Sequence, residues 1–222
     1  MAKLRRQNIF NTTTAAIKFV LFWVMVLIQV PLLLVLPRRM AVRYMPIFMW
    51  FLIKLAGIKI VVHGQLSKKR PLMIVSNHIS VFELATFPCV FKGSFIAKKE
   101  MENWPLVGWV AKKFGVIFVD RRPSHARDAL AVVQQAVQTV QYPMILFPEG
   151  TTTNGAYVKP FKSTLFNFVE NSNITVQPVA MHYRYKDGSV IDEQTMADHF
   201  AYFDNAKMDM GPRCKIERSA FG

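Results

Sequence analysis

A histidine and a carboxylate stand five positions apart in the run SNHISVFE, residues 76–83, just after an apolar stretch that reads as a strand. One helical face cannot hold both, because five residues turn about 500° and leave the two about 140° apart. His78 and Glu83 meet if the histidine lies on the loop leaving the strand and the glutamate on the first turn of the next helix. There the carboxylate can accept the imidazole Nδ1–H, fixing the tautomer and raising the basicity of Nε2. That is the base-and-orienter arrangement that deprotonates a hydroxyl. The same residues have a plainer use, since Ser80-x-x-Glu83 has the form of a helix capping box in which Glu83 holds the helix start.

A second run, FPEGTTTNG at residues 147–155, also follows an apolar strand-like stretch. Gly150 allows a close backbone approach to a ligand. Hydroxyl and backbone donors from Thr151 to Thr153 suit a phosphate, and Glu149 suits a hydroxyl or a basic partner. The plainer reading is an ordinary strand-to-helix loop, which Gly, Asn and Thr favour. A third run, GVIFVDRR at residues 115–122, ends in Arg121 and Arg122, whose guanidinium forks match phosphate oxygens. The nearby pairs Lys98–Lys99 and Lys112–Lys113 fit a solvated basic surface. No metal site is implied: His78 lacks partners at ligand spacing, and His63 and His182 fall on expected strands, where a structural role is expected.

The elements that must position these residues alternate. Strands are expected at IKIVVHG, PLMIVSN, SFIAKK, GVIFVD, MILFPEG and ITVQPVAM. Helices are expected between them over residues 80–91, 105–114, 124–140 and 163–170. Alternation of this kind predicts an α/β fold with a largely parallel central sheet flanked by helices. The three chemical runs each end a strand, and in an open α/β sheet those ends converge on the ligand crevice. Residues 205–222 are polar and pattern-poor and are expected to be loosely ordered.

Ahead of this lies a different kind of sequence. Residues 15–37 form an apolar stretch long enough to cross a hydrocarbon core of about 30 Å, interrupted by Lys18, Gln29 and Pro31. No small-x-small cleavage site follows it, which argues against a signal peptide. A second stretch at residues 45–58 has 14 residues and suits an interfacial or re-entrant helix. An N-terminal two-helix membrane-anchoring element over residues 1–57 is therefore expected, followed by a catalytic domain over residues 58–222. The alternative is a single span. Basic residues flank both ends of the first stretch, so charge sets no orientation.

The 222-residue chain is 52% apolar yet carries 28 Lys and Arg against 14 Asp and Glu, a net charge of +14. That pairing fits an anionic membrane surface, where each basic residue contributes about 1 kcal/mol. Nucleic acid is the other common partner of basic chains, but no zinc-finger spacing or ribonucleoprotein motif is present and the apolar excess opposes it. Two cysteines, Cys89 and Cys214, make no disulfide framework.

NH-x4-acid, GVIFVDRR, FPEGTT and VQPVA (residues 176–180), in this order and spacing, resemble the four blocks of the lysophospholipid acyltransferase family, which includes 1-acylglycerol-3-phosphate acyltransferases. FPEGTTTNG followed by KPFKSTLF is especially similar to bacterial members. The resemblance spans roughly residues 58–185. It implies that His78, with Glu83, is the base that deprotonates an acceptor hydroxyl for attack on an acyl thioester. Asn77 and Arg121 with Glu149, Gly150 and Thr151 would bind the glycerol phosphate acceptor, and Pro178 with its neighbours would shape the acyl side.

The implied acceptor is 1-acyl-sn-glycerol-3-phosphate, giving phosphatidic acid. A lyso-ornithine lipid is the alternative acceptor, and a non-catalytic membrane-binding homologue is the alternative of another class. Acyl-CoA or acyl-ACP would be co-substrate, with no cofactor; acyl carrier protein and an anionic membrane would be partners, and no nucleic acid. The implied location is the inner (cytoplasmic) membrane with the active site facing the cytoplasm. The family has aspartate where this chain has Glu83, so the orienting bond must be made from a different backbone geometry. After Pro212 nothing matches the family, and a closing strand is expected to be missing or rebuilt.

Overall fold

The computed structural model describes residues 2–120, 126–162, 169, 172–185, 187–192 and 215–219. Seven strands form one sheet in the order β1-β7-β6-β2-β5-β3-β4. Its centre is β2 (Leu72–Ser76), flanked by β5 (Met144–Leu146) and β6 (Thr175–Arg184), both parallel to it. Beyond β5 lie β3 (Ser94–Lys98) and β4 (Ile117–Val119), again parallel. These five contiguous strands are the parallel sheet that the β-branched runs predict. β7 (Lys215–Ser219) pairs antiparallel with β6, and β1 (Lys59–Ile60) runs parallel to β7 at the edge.

β2 has every residue buried. A strand covered on both faces reads as a continuous apolar run, which is what LMIV is. Its alternate side chains enter different cores. Leu72 and Ile74 pack with Phe87, Phe91, Phe95, Ile145 and Met181, whereas Met73 and Val75 pack with Val133, Val137, Met144 and Leu146. The first core is closed by α2 (Arg38–Ala56) and α3 (Glu83–Phe91), the second by α5 (Ala126–Thr139). A short helix, α4 (Val107–Lys113), leads into β4. Each wholly buried side chain of this kind contributes about 1.5–3 kcal/mol, so β2 is firmly anchored between the two cores.

Two compact units divide the chain after Pro37. The first holds α1 (Ala2–Val35), a 34-residue helix that continues through Pro31. Its segment Ala16–Val35, 20 residues, is long and apolar enough to cross a membrane. Proline lacks one backbone donor, and a helix can carry that loss where sequence on both sides is strongly helical.

The second apolar stretch belongs to a longer helix than its composition suggests. α2 begins at Arg38 and is 19 residues long, and its Ala41, Val42, Met45 and Ile53 are buried. It packs against α3, while Met40, Ile47, Trp50 and Phe51 stay exposed. The compact units thus separate at residues 37/38, whereas composition places the line at 57/58. A run of apolar residues does not tell whether one of its faces meets protein.

Two expectations are corrected. Of IKIVVHG, Lys59 and Ile60 alone pair as a strand, and His63 lies beyond it, exposed. The polar tail supplies β7, for backbone ladder bonds to β6 do not require an apolar pattern. The helix expected over residues 163–170 falls outside the described residues, apart from a turn at 169.

Candidate active site

Parallel strands direct their C-terminal ends to one edge, and β2 and β5 are in register with Val75 opposite Leu146. The loops that follow therefore leave the sheet side by side: Asn77-His78 from β2, Phe147 to Thr153 from β5. β4 reaches the same edge at Val119, ahead of Arg121, which lies outside the described residues along with Arg122.

His78 Nδ1 lies 2.5 Å from Oε2 of Glu83. The glutamate is the first residue of α3 and its side chain is wholly buried, while the histidine side chain is 17% exposed. The long arm folds back across the start of the helix. Oε2 also accepts from the backbone N–H of Ile79 at 3.1 Å and of Ser80 at 2.9 Å. Oε1 accepts from Ser80 N–H at 3.0 Å and from the Tyr183 hydroxyl at 2.6 Å. Glu83 thus serves both uses that its spacing allows, orienting His78 and satisfying Ser80 N–H as a capping box does. The reciprocal half is altered, because Ser80 Oγ accepts from Phe82 N–H. The turn before Glu83 is tightened by bonds such as Glu83 N–H to Ser80 O, and the regular helix begins three residues later than Ser80.

The imidazole ring stacks on Phe147, centroids 4.1 Å apart and planes 11° from parallel. With Nδ1 on Glu83 and one face on Phe147, Nε2 has no hydrogen bond to any described residue. In the neutral tautomer whose Nδ1–H donates to Glu83, Nε2 is the acceptor nitrogen of the ring.

The backbone of His78 is held as firmly as its ring. Its N–H donates to Glu149 Oε1 at 2.6 Å, and its C=O accepts from Thr153 N–H at 3.0 Å. Glu149, 4% exposed, uses its other oxygen to accept from Lys159 N–H at 2.8 Å. Asn77 is tied to β6: its Nδ2 donates to Met181 O at 3.1 Å and its Oδ1 accepts from Met181 N–H at 2.8 Å. These side-chain bonds prolong the β2–β6 ladder by one residue. In this structure Asn77 bonds the main chain of Met181, and Glu149 that of His78 and Lys159.

Gly150 has φ +74°, a left-handed conformation suited to glycine, and its N–H donates to Phe147 O. That turn leaves Thr151 exposed beside the histidine loop and sends Thr152 and Thr153 inward. Pro178 is exposed on β6 opposite Val75. Lys99 and Lys112 both pair with Glu102, and their hydrogen bonds hold its carboxyl below the usual range. Lys113 sits over the Trp109 ring. His182 is exposed on β6. Two contributors were missed by sequence reasoning, Tyr183 and the stacking role of Phe147. The signal for Tyr183 is the alternation of Val179, Met181 and Tyr183 along β6, all buried on one face.

The structure thus sets a histidine, paired with a buried carboxylate and with its second nitrogen open, at the carboxyl edge of a parallel sheet. The chain belongs to the acyltransferase family, whose model matches residues 59–182. It is 31% identical over 144 residues to the lyso-ornithine lipid O-acyltransferase of Pseudomonas aeruginosa, covering 63% of this chain and 54% of that protein. It is 35% identical over 139 residues to the lyso-ornithine lipid O-acyltransferase of Brucella abortus, covering 59% and 51%. With the 1-acyl-sn-glycerol-3-phosphate acyltransferase of Neisseria meningitidis serogroup B it shares 29% identity over 128 residues, covering 57% and 49%. The chain thus spans about half the length of the curated relatives it matches. The fold is that of the 1-acyl-sn-glycerophosphate acyltransferase PlsC of Thermotoga maritima, with TM-score 0.57 and 20% identity over 82% of this chain and 69% of that one.

Proposed function

We propose that this protein moves a fatty acyl group from an acyl thioester, acyl-CoA or acyl-ACP, to the free hydroxyl of a lysophospholipid. The preferred acceptor is 1-acyl-sn-glycerol-3-phosphate, which would become phosphatidic acid. The observation that carries the reading is the His78–Glu83 pair with Nε2 open. Nε2 takes the hydroxyl proton as the alkoxide oxygen attacks the thioester carbonyl carbon. The C–S bond then breaks, and the departing sulfur receives the proton from the imidazolium. Glu83 remains an anion throughout and stabilises the imidazolium.

Arg121, Gly150 and Thr151 are assigned to the acceptor phosphate, an arginine fork and an exposed loop suiting its oxygens. Asn77 and Glu149 are assigned to the same site through the His78 loop that they hold. The apolar stretch of α1 and the exposed apolar face of α2, rich in neighbouring Arg, are assigned to an anionic membrane, taken to be the inner membrane with the site on the cytoplasmic side. Residues 1–57 are the membrane-associated region in this reading, and residues 58–222 the acyltransferase domain.

A lyso-ornithine lipid is the second acceptor to consider, because relatives bearing that activity in their names are 31% and 35% identical to this chain. Full-length protein in detergent, given labelled acyl-CoA or acyl-ACP and a panel of lyso-lipids, tests both. Transfer to lysophosphatidate far above transfer to lyso-ornithine lipid supports the first, and the reverse preference supports the second. Transfer to neither would leave a non-catalytic membrane-binding protein and defeat the proposal.

A further inference from the structure

A glutamate at the orienting position has one more rotatable bond than an aspartate, and each free torsion spreads the carboxylate over alternative staggered positions. Something must choose among them if Oε2 is to stay on His78 Nδ1. Backbone donors from Ile79 and Ser80 hold Oε2, but Oε1 receives its shortest bond from Tyr183, at 2.6 Å. Tyr183 comes from β6, 100 residues further along the chain than its partner. β2 ends at Ser76 opposite Val179, and β6 runs on to Arg184. The overhang carries Tyr183, 5% exposed, over the turn that joins His78 to Glu83.

We infer that Tyr183 is a positioning residue for the base: its hydroxyl, donating to Oε1, selects the Glu83 rotamer in which Oε2 faces His78 Nδ1. A buried tyrosine needs some acceptor for its O–H, and a main-chain carbonyl would satisfy that need equally well. Here the acceptor is the orienting carboxylate itself. A charge-assisted O–H···O⁻ bond is short and strong, and it holds geometry as well as energy. The inference rests on reading His78 as the base.

Tyr183→Phe removes one oxygen and keeps the ring in the core formed with Ile74, Phe87 and Met181. In the full-length protein kcat for acyl transfer should fall about tenfold, the rate equivalent of one charge-assisted hydrogen bond, with KM unchanged. In a Glu83→Ala background the same change should alter kcat less than about twofold, because the hydroxyl then has no carboxylate to aim. Independently of turnover, the proton between Nδ1 and Oε2 should give a far-downfield ¹H resonance in the parent that is lost to exchange in Tyr183→Phe. An unchanged resonance, a kcat equal to the parent's, or an equal loss in both backgrounds would each overturn the assignment. If the parent transferred no acyl chain, the proposed activity would fail while the resonance still decided the role of Tyr183.

Discussion

Glu149 Oε1 lies 2.6 Å from the backbone nitrogen of His78, so the acid of one loop fixes the main chain of another. Its partner oxygen does the same for Lys159. A carboxylate accepting two N–H groups has no donor to offer, and that sets what a substitution there would do. Glu149→Gln keeps the size but turns an NH₂ toward one of the two N–H groups. Stability should fall by roughly 1–3 kcal/mol, the cost of leaving a buried donor unpaired. Thermal unfolding checks this, and the acyl-transfer rate should fall with it because the histidine loop shifts. An unaltered melting temperature would show that water replaces the lost bond without cost.

His78→Ala should reduce acyl transfer by about 10²–10⁴-fold, the range for a positioned acid–base group. Membrane binding and folding should be retained, since the ring is partly exposed and Phe147 can keep its other neighbours. Turnover within a few-fold of the parent would remove His78 from the mechanism.

Glu83→Asp restores the residue found in the family's first block but on a backbone adapted to the longer side chain. The shortened carboxylate cannot keep Tyr183, Ser80 N–H and His78 Nδ1 together, so kcat should drop roughly tenfold, the equivalent of one bond to a charged group. Equal or higher activity would mean that the start of α3 moves inward to compensate, which a shift in the amide resonances of Ile79 and Ser80 would reveal.

Arg121→Lys keeps the charge and loses the fork. With lysophosphatidate as acceptor, KM should rise roughly tenfold with a much smaller change in kcat, as when ground-state and transition-state binding are lost together. An acceptor lacking a phosphate should be nearly indifferent. Equal loss on both acceptors would assign Arg121 to structure instead.

Removing residues 1–37 takes away the first compact unit and leaves α2 with its exposed Met40, Ile47, Trp50 and Phe51. Binding to anionic vesicles should weaken, and what remains should decline with added salt because basic contacts then carry more of it. Sedimentation with vesicles at low and high ionic strength measures this. Unchanged, salt-resistant binding would show that α1 is not the main anchor.

The parallel sheet was legible because its strands are short β-branched runs separated by helical patterns, and β2 through β6 lie where those runs stand. The His78–Glu83 contact was legible too, since the geometry of five residues left a single way for them to meet. The partners of Asn77 and Glu149 were not. A polar side chain beside a candidate base looks the same in sequence whether it faces a substrate or a backbone N–H. Tyr183 was hidden by distance along the chain, and β7 by composition, since KIERS holds one apolar residue and its pairing is made by main-chain groups. The length of α2 escaped for another reason: Arg38, Arg39 and Arg43 break an apolar count without breaking a helix.

The overhang of β6 also carries a consequence for how the chain matures. His78 and Glu83 can come together locally, but Glu149, which holds His78, Met181, which holds Asn77, and Tyr183, which holds Glu83, lie 71 to 104 positions away from their partners. Contacts so distant in sequence carry a larger loop-closure cost than local ones, because a long stretch of chain must close before any of them is gained. During synthesis the histidine leaves the ribosome well ahead of β6, on a loop with neither clamp nor tyrosine. A nascent chain therefore carries His78 and Glu83 before the strand that begins at Thr175 is present to clamp them.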